Sequence, residues 1–188
     1  MKRHDPKQGR QLLELARQAI AEALGLDPGR SPRAPEPWLQ APGAVFVTLT
    51  QHGELRGCIG SLEAHRSLLE DLRANARAAA FSDPRFAPLE AEELVRTRVE
   101  VSILSPPEPL PVRDEADLLA QLRPGIDGLI LECGWHRATF LPQVWEQLPE
   151  RRQFLAQLKR KAGLAPDFWS GDMRFARYGV EKFKEGPP

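Results

Sequence analysis

The residues most able to do chemistry lie in one run, Leu55-Arg56-Gly57-Cys58-Ile59-Gly60. In an extended strand side chains alternate, so Arg56 and Cys58 are expected to share one face while Leu55, Gly57 and Ile59 share the other, with Leu55 and Ile59 in the core. A guanidinium held beside a thiol favours the thiolate, which is the nucleophilic form. Gly57 and Gly60 leave the backbone bare on either side of Cys58, open to a substrate or to another strand. If the loop after Gly60 led straight into a helix, that helix's N-terminus would add positive potential. Cys58 could equally be there for packing. Cysteine is among the most buried residue types, and a small residue between glycines suits a strand with a helix pressed tightly over it. The run has neither the spacing of a nucleophile elbow nor the glycines of a dinucleotide or Walker fingerprint.

Other residues could complete a site. His136 opens a predicted strand and could serve as base for Cys58, since a Cys/His pair needs only spatial adjacency. Asp83 and Arg85 are placed to form an ion pair that fixes the loop after the second helix, or to contact a ligand. Glu100 shares the polar side of its strand with Arg98 and could bridge to Arg56. His4, His52, His65 and His136 show no ligand spacing with either cysteine, so no metal site is expected. The cofactor is left unknown by these residues.

Lys+Arg and Asp+Glu both number 26, which removes any global charge that would draw the chain to nucleic acid or an anionic membrane. Arg151, Arg152, Lys159, Arg160 and Lys161 make a local basic patch, but the stacking aromatics of an RNA module are missing, and the patch reads as a solvated helix face. There is no secretory apolar stretch and no membrane span. Cys58 and Cys133 form no C-x-x-C pair, which argues for reduced thiols in a cytoplasmic protein, with a disulfide as the alternative.

The elements that must position these residues follow from periodicity. Leu12, Leu13, Ala16, Ala19, Ile20 and Ala23 put an apolar stripe on a helix over 12–24, with Gly25 as its cap. Prolines 28, 32, 35, 37 and 42 make 27–43 an extended connection, pinned by Trp38. Strands over 44–50 and 55–59 flank a turn and read as a hairpin. A helix is predicted within 65–81 and an alternating strand over 98–104. The prolines of 105–111 exclude regular structure there. Asp114 caps a short helix reaching Leu122. A second hairpin spans 128–133 and 136–141 around Gly134-Trp135. A helix runs from Pro149 to about Ala162, and a last strand covers 173–183. This order predicts an α+β fold, a largely antiparallel sheet flanked by helices, in a single domain over 1–188, a length that fits one core or a main core with a smaller α/β lobe.

The six-residue run resembles the signature of the AMME-syndrome candidate gene product family, called AmmeMemoRadiSam system protein A in prokaryotes. Ala79-Ala80-Phe81-Ser82-Asp83-Pro84-Arg85-Phe86, Val101-Ser102-Ile103-Leu104-Ser105, Gly125-Ile126-Asp127-Gly128-Leu129 and Phe140-Leu141-Pro142-Gln143-Val144 with Trp145 resemble further blocks in the same order. The resemblance implies a larger sheet-and-helix part, a smaller lobe and partnership with Memo-like and radical S-adenosylmethionine proteins. It assigns no reaction; Arg56, Gly57, Cys58 and Gly60 match its signature only. Two functions fit these residues: an enzyme or enzyme component using Cys58 and Arg56, and a binding or adaptor module in which Cys58 is merely small.

Overall fold

The structure, a computed structural model, describes residues 4–26 and 36–186. Pro28, Pro32 and Pro35 of the expected connection lie outside the described residues. The chain forms two compact units, one from the residues up to Leu104 together with those from Glu181 on, the other from Ser105–Val180.

The first unit opens with α1 (Pro6–Ala23), which starts six residues before its apolar stripe. Asp5 accepts the Gln8 N–H at 2.8 Å and Gln8 accepts the Asp5 N–H at 2.9 Å, so two orphan donors are satisfied reciprocally. Gly25, at φ 72°, ends the helix, and the Leu26 N–H reaches back to the Ala21 carbonyl at 2.9 Å. The expected extended connection contains instead a single helical turn, α2 (Pro37–Gln40), because Pro37 sits at the first helical position, where its missing N–H costs nothing. Trp38 packs partly buried against the core.

Strands β1 (Ala44–Gln51) and β2 (Glu54–Gly60) are joined by His52-Gly53, both at positive φ (51° and 85°), a two-residue hairpin turn that fixes Gln51 opposite Glu54. Helix α3 (Leu68–Phe81) follows seven residues after β2, capped by Ser67 and Glu70. The loop after Gly60 thus does not open directly into it. After a 3-10 turn over Ala91–Arg96 comes β3 (Thr97–Leu104), paired antiparallel with β1.

In the second unit a two-residue strand β4 (Glu108–Pro109) interrupts the proline run and pairs with residues 176–177. Proline is tolerated there because β4 is an edge strand whose outward side needs no donor. Helix α4 (Glu115–Gln121) is capped by Asp114, and β5 (Gly128–Cys133) and β6 (His136–Phe140) form the second hairpin. Helix α5 (Arg151–Lys161) begins after Glu150, so Pro149 lies outside it. The expected last strand is two strands, β7 (Arg174–Tyr178) and β8 (Val180–Lys184), which belong to different sheets. The sheets have strand orders β2-β1-β3-β8 and β4-β7-β5-β6, and the α+β class is as expected.

In the first unit α1 and α3 cover the sheet side that carries Val45, Val47, Leu49, Val99, Val101 and Ile103. Leu12, Ile20 and Leu72 are fully buried, each worth about 1.5–3 kcal/mol in apolar transfer. In the second unit Leu118, Leu131 and Leu158 pack around Phe154, whose ring stacks on Trp145 at 3.7 Å. Lys159 is also buried there, contrary to the solvated-face reading. Its ammonium donates to Glu115 at 2.6 Å and lies over the Trp169 ring.

Candidate functional site

Strand β2 carries the six-residue run along one edge of the first sheet. Leu49 pairs with Gly57 but Thr50 pairs with Leu55, so Arg56 is an extra residue in β2, a β-bulge. A bulged residue breaks the alternation of sides, and this overturns the expected pairing of Arg56 with Cys58. The Cys58 thiol lies 3.3 Å from the Thr48 hydroxyl, on the sheet side away from the helices. Arg56 instead reaches Glu93 through two hydrogen bonds, of 3.1 and 3.0 Å. Glu93 also accepts from Gln51, which shares the helix-facing side with Val45, Val47 and Leu49. Leu55, expected in the core, is displaced by the same bulge and is 42% exposed, while Ile59 packs partly buried against the core.

The glycines serve packing rather than access. A Cβ on Gly57 would run into the Ala79 carbonyl oxygen of α3, with the Ala79 carbonyl carbon only 3.1 Å away. A Cβ on Gly60 would enter the Phe46 ring, 2.6 Å from one of its carbons. The strand is bare at these two points because a helix backbone and an aromatic ring occupy the space.

The loop after α3 holds β2 from outside. Asp83, itself buried, accepts the Cys58 N–H at 2.9 Å, and Arg85 lies 3.5 Å from the Cys58 carbonyl oxygen. Arg85 also clasps Asp83 through both carboxylate oxygens, at 2.9 and 2.7 Å. That guanidinium first, and the Cys58 N–H second, hold the Asp83 carboxyl well below the usual carboxylate range. Asp83 in turn raises Arg85. On the other side of the strand Arg56, then the Glu90 N–H, bring Glu93 down to about 2. The Phe86 ring stands between the two ion pairs, 5.9 Å from the Arg56 guanidinium carbon and 5.5 Å from that of Arg85.

Glu100 does not bridge to Arg56. It is paired with Lys184 at 2.7 Å and Lys182 at 3.8 Å, both on the neighbouring β8. Register puts Cys58, Thr48 and Glu100 in one cross-strand row: a thiol, a hydroxyl and a carboxylate. His136 belongs to the second unit, where its Nδ1 meets the Ala162 carbonyl at 2.7 Å. A carbonyl only accepts, so Nδ1 carries the proton. Among the described residues the thiol's hydrogen-bond partner is thus a hydroxyl, which can orient it but is no base. No group of three or more His, Cys, Asp or Glu among them could hold a metal ion, and no helix among them is long and apolar enough to cross a membrane. Both cysteines are unpaired.

Sequence reasoning passed over a buried polar pair, Asp71 and Asn75, on the apolar side of α3. Asp71 accepts from the Val45 N–H at 2.9 Å, Ser61 Oγ at 2.6 Å and Arg66 Nε at 2.9 Å, and Asn75 donates to the Val45 carbonyl at 3.0 Å. Their spacing from Leu68, Leu72 and Ala76 was the available signal, since polar residues on a buried stripe require partners. Glu93 was also missed; its three-residue spacing from Glu90 is that of a capping pair.

These elements describe an α+β protein with an edge-strand signature braced by two ion pairs. The family comparison agrees with that outline: the chain belongs to the AMMECR1 family, whose model matches residues 13–183. It is 44% identical over 182 residues to a protein of Methanothermobacter thermautotrophicus, covering 95% of this chain and 94% of that one. A Saccharolobus solfataricus protein is 41% identical over 187 residues, covering 96% and 82%. The crystal structure of the uncharacterized protein PH0010 from Pyrococcus horikoshii is similar, with a TM-score of 0.80, 36% identity and coverage of 96% and 93%.

Proposed function

We propose that this chain acts by binding, as an adaptor module whose contact surface is the open side of β2 around Cys58 and the neighbouring Arg85. The observation that carries this reading is the division made by the bulge. Arg56, the residue expected to activate the thiol, is turned away from it and neutralised by Glu93. What faces outward is the half-buried Cys58 and the Arg85 side chain, 54% exposed. Memo-like and radical S-adenosylmethionine proteins are the partners the family resemblance suggests, and two unpaired thiols accord with a cytoplasmic setting.

Calorimetric titration with a purified Memo-like protein and a purified radical S-adenosylmethionine protein tests this. In a Cys133→Ser background, Cys58→Ala and Cys58→Ser should bind within about threefold of the parent, less than about 0.7 kcal/mol. N-ethylmaleimide on Cys58 should block binding by its bulk. Loss of binding by a folded Cys58→Ala protein, or full binding by the alkylated one, overturns the reading.

The second reading, an enzyme or enzyme component using Cys58 as nucleophile, rests on the thiol-hydroxyl-carboxylate row of Cys58, Thr48 and Glu100. It requires Cys58 to alkylate faster than a free cysteine at neutral pH. A rate at or below that of free cysteine removes its basis.

A further inference from the structure

Strand β2 is an edge of the first sheet, and an edge strand exposes N–H and C=O groups to which any other extended chain can pair. The Ser61 N–H reaches the Val45 carbonyl at 3.0 Å. By the alternation of an antiparallel ladder, Gly57 and Ile59 also face β1, whereas Cys58 and Gly60 direct their backbone groups outward. At Cys58 those outward groups are met by side chains: the Asp83 carboxylate accepts its N–H and the Arg85 guanidinium lies at its carbonyl oxygen. An acceptor and a donor, joined by their own ion pair, thus present what the peptide group of a neighbouring strand would present.

We infer that the Asp83–Arg85 pair seals the β2 edge, and that the partner it excludes is a second copy of this chain pairing antiparallel through β2. The strand is suited to pair with itself. A two-fold axis at Cys58 sets Gly57 opposite Ile59 and Arg56 opposite Gly60, so no like charges meet, and the bulge already turns the long Arg56 side chain aside to Glu93. The loop's hold on the sheet also runs through Asp83. Its Oδ2 takes the Cys58 N–H and its Oδ1 the Arg85 N–H, at 2.9 and 3.1 Å, so one carboxylate fastens the strand and shapes the loop. Removing the carboxylate therefore frees both the strand edge and the loop that lies along it.

The test uses the full chain with Cys133→Ser, which leaves Cys58 as the sole thiol. In a two-fold pair centred on Cys58 the two Cα atoms stand about 5.5 Å apart, inside the roughly 4.4–6.8 Å range of disulfides. Asp83→Ala should double in mass by analytical ultracentrifugation at micromolar concentration. Diamide, which takes up the two hydrogens lost by a pair of thiols, should then link Cys58 to Cys58 in the variant far faster than in the parent. At dilutions that keep the variant monomeric, its Cys58 amide should exchange at least about tenfold faster than in the parent. If Asp83→Ala does not fold, Asp83→Asn and Arg85→Ala decide, each weakening one arm of the seal. A folded variant of unchanged mass, or association that yields no Cys58 cross-link, overturns the inference.

Discussion

Gly57→Ala puts one methyl group against the backbone of α3. The added carbon would overlap the Ala79 carbonyl oxygen and sit 3.1 Å from its carbon. Neither partner is a flexible side-chain end, since one is helix backbone and the other a strand tied to β1 on one side and to Asp83 on the other. Relief requires α3 to lift by more than about 1 Å, to bring the carbonyl oxygen out to an ordinary contact distance of roughly 3.5 Å. The cost falls on the fully or nearly buried Leu72, Ala76, Ala79 and Ala80, whose packing against β1 and β2 opens. Overpacking of a rigid contact costs about 1–3 kcal/mol, and with backbone on both sides we expect the upper end, about 3 kcal/mol. Urea unfolding followed by far-UV circular dichroism reads this as a midpoint lowered by about 1–2 M. Gly171→Ala is the control, because nothing lies within 4 Å of its added carbon and its φ is ordinary; it should be neutral or gain up to about 1 kcal/mol. A Gly57→Ala protein within about 0.5 kcal/mol of wild type would refute the packing role and restore the glycine as an open approach to Cys58.

Lys159→Met keeps most of the buried volume and leaves Glu115 at the surface, so thermal denaturation should show it within about 1 kcal/mol of wild type or more stable. Glu115→Ala, which strands the buried ammonium, should cost about 3 kcal/mol. The Glu93 carboxyl titrates lower in the folded chain, at about 2, than its ordinary 4.5. Its contribution is therefore present above about pH 4.5 and lost as pH falls toward 2, and Glu93→Gln should flatten the acid limb of a stability–pH curve. Tyr178 is the one tyrosine of the sequence, and burial, partly offset by its hydrogen bond with Thr139, pushes it up to about 12. Ultraviolet titration should find a single phenolate transition near that value, falling to about 10 in denaturant.

The helices and hairpins were legible because their signals are local. The apolar stripe of α1, the cap at Gly25, the turn at His52-Gly53 and the alternation of β3 each need only a few neighbouring residues. The candidate site was legible as a place and misread as a geometry. The bulge at Arg56 has no mark in β2 itself; it follows from a carboxylate 37 positions later in the chain that draws the guanidinium to the helix side. Lys159 looked solvated because the residues that bury it, Glu115 and Trp169, come from separate elements. Strands β7 and β8 read as one because a single residue, Gly179, separates them, and their assignment to different sheets depends on distant partners. Asp71 and Asn75 are the opposite case, a signal present in the helical spacing and not used.

The way the chain leaves and rejoins the first sheet bears on its biosynthesis. Strands β3 and β8 are neighbours in that sheet, yet residues 105–179, nearly all of the second unit, are spelled out between them. The two points of the detour are fastened together, the Ser105 N–H to the Gly179 carbonyl and the Gly179 N–H to Ser105 Oγ, each at 2.9 Å. On the ribosome the first sheet must therefore wait, three strands wide, with β3 offering an unpaired margin until the inserted residues have emerged and β8 arrives to close it. The same fastening marks where evolution or an engineer could cut. A short turn from Leu104 to Glu181 would spare the nascent sheet that wait.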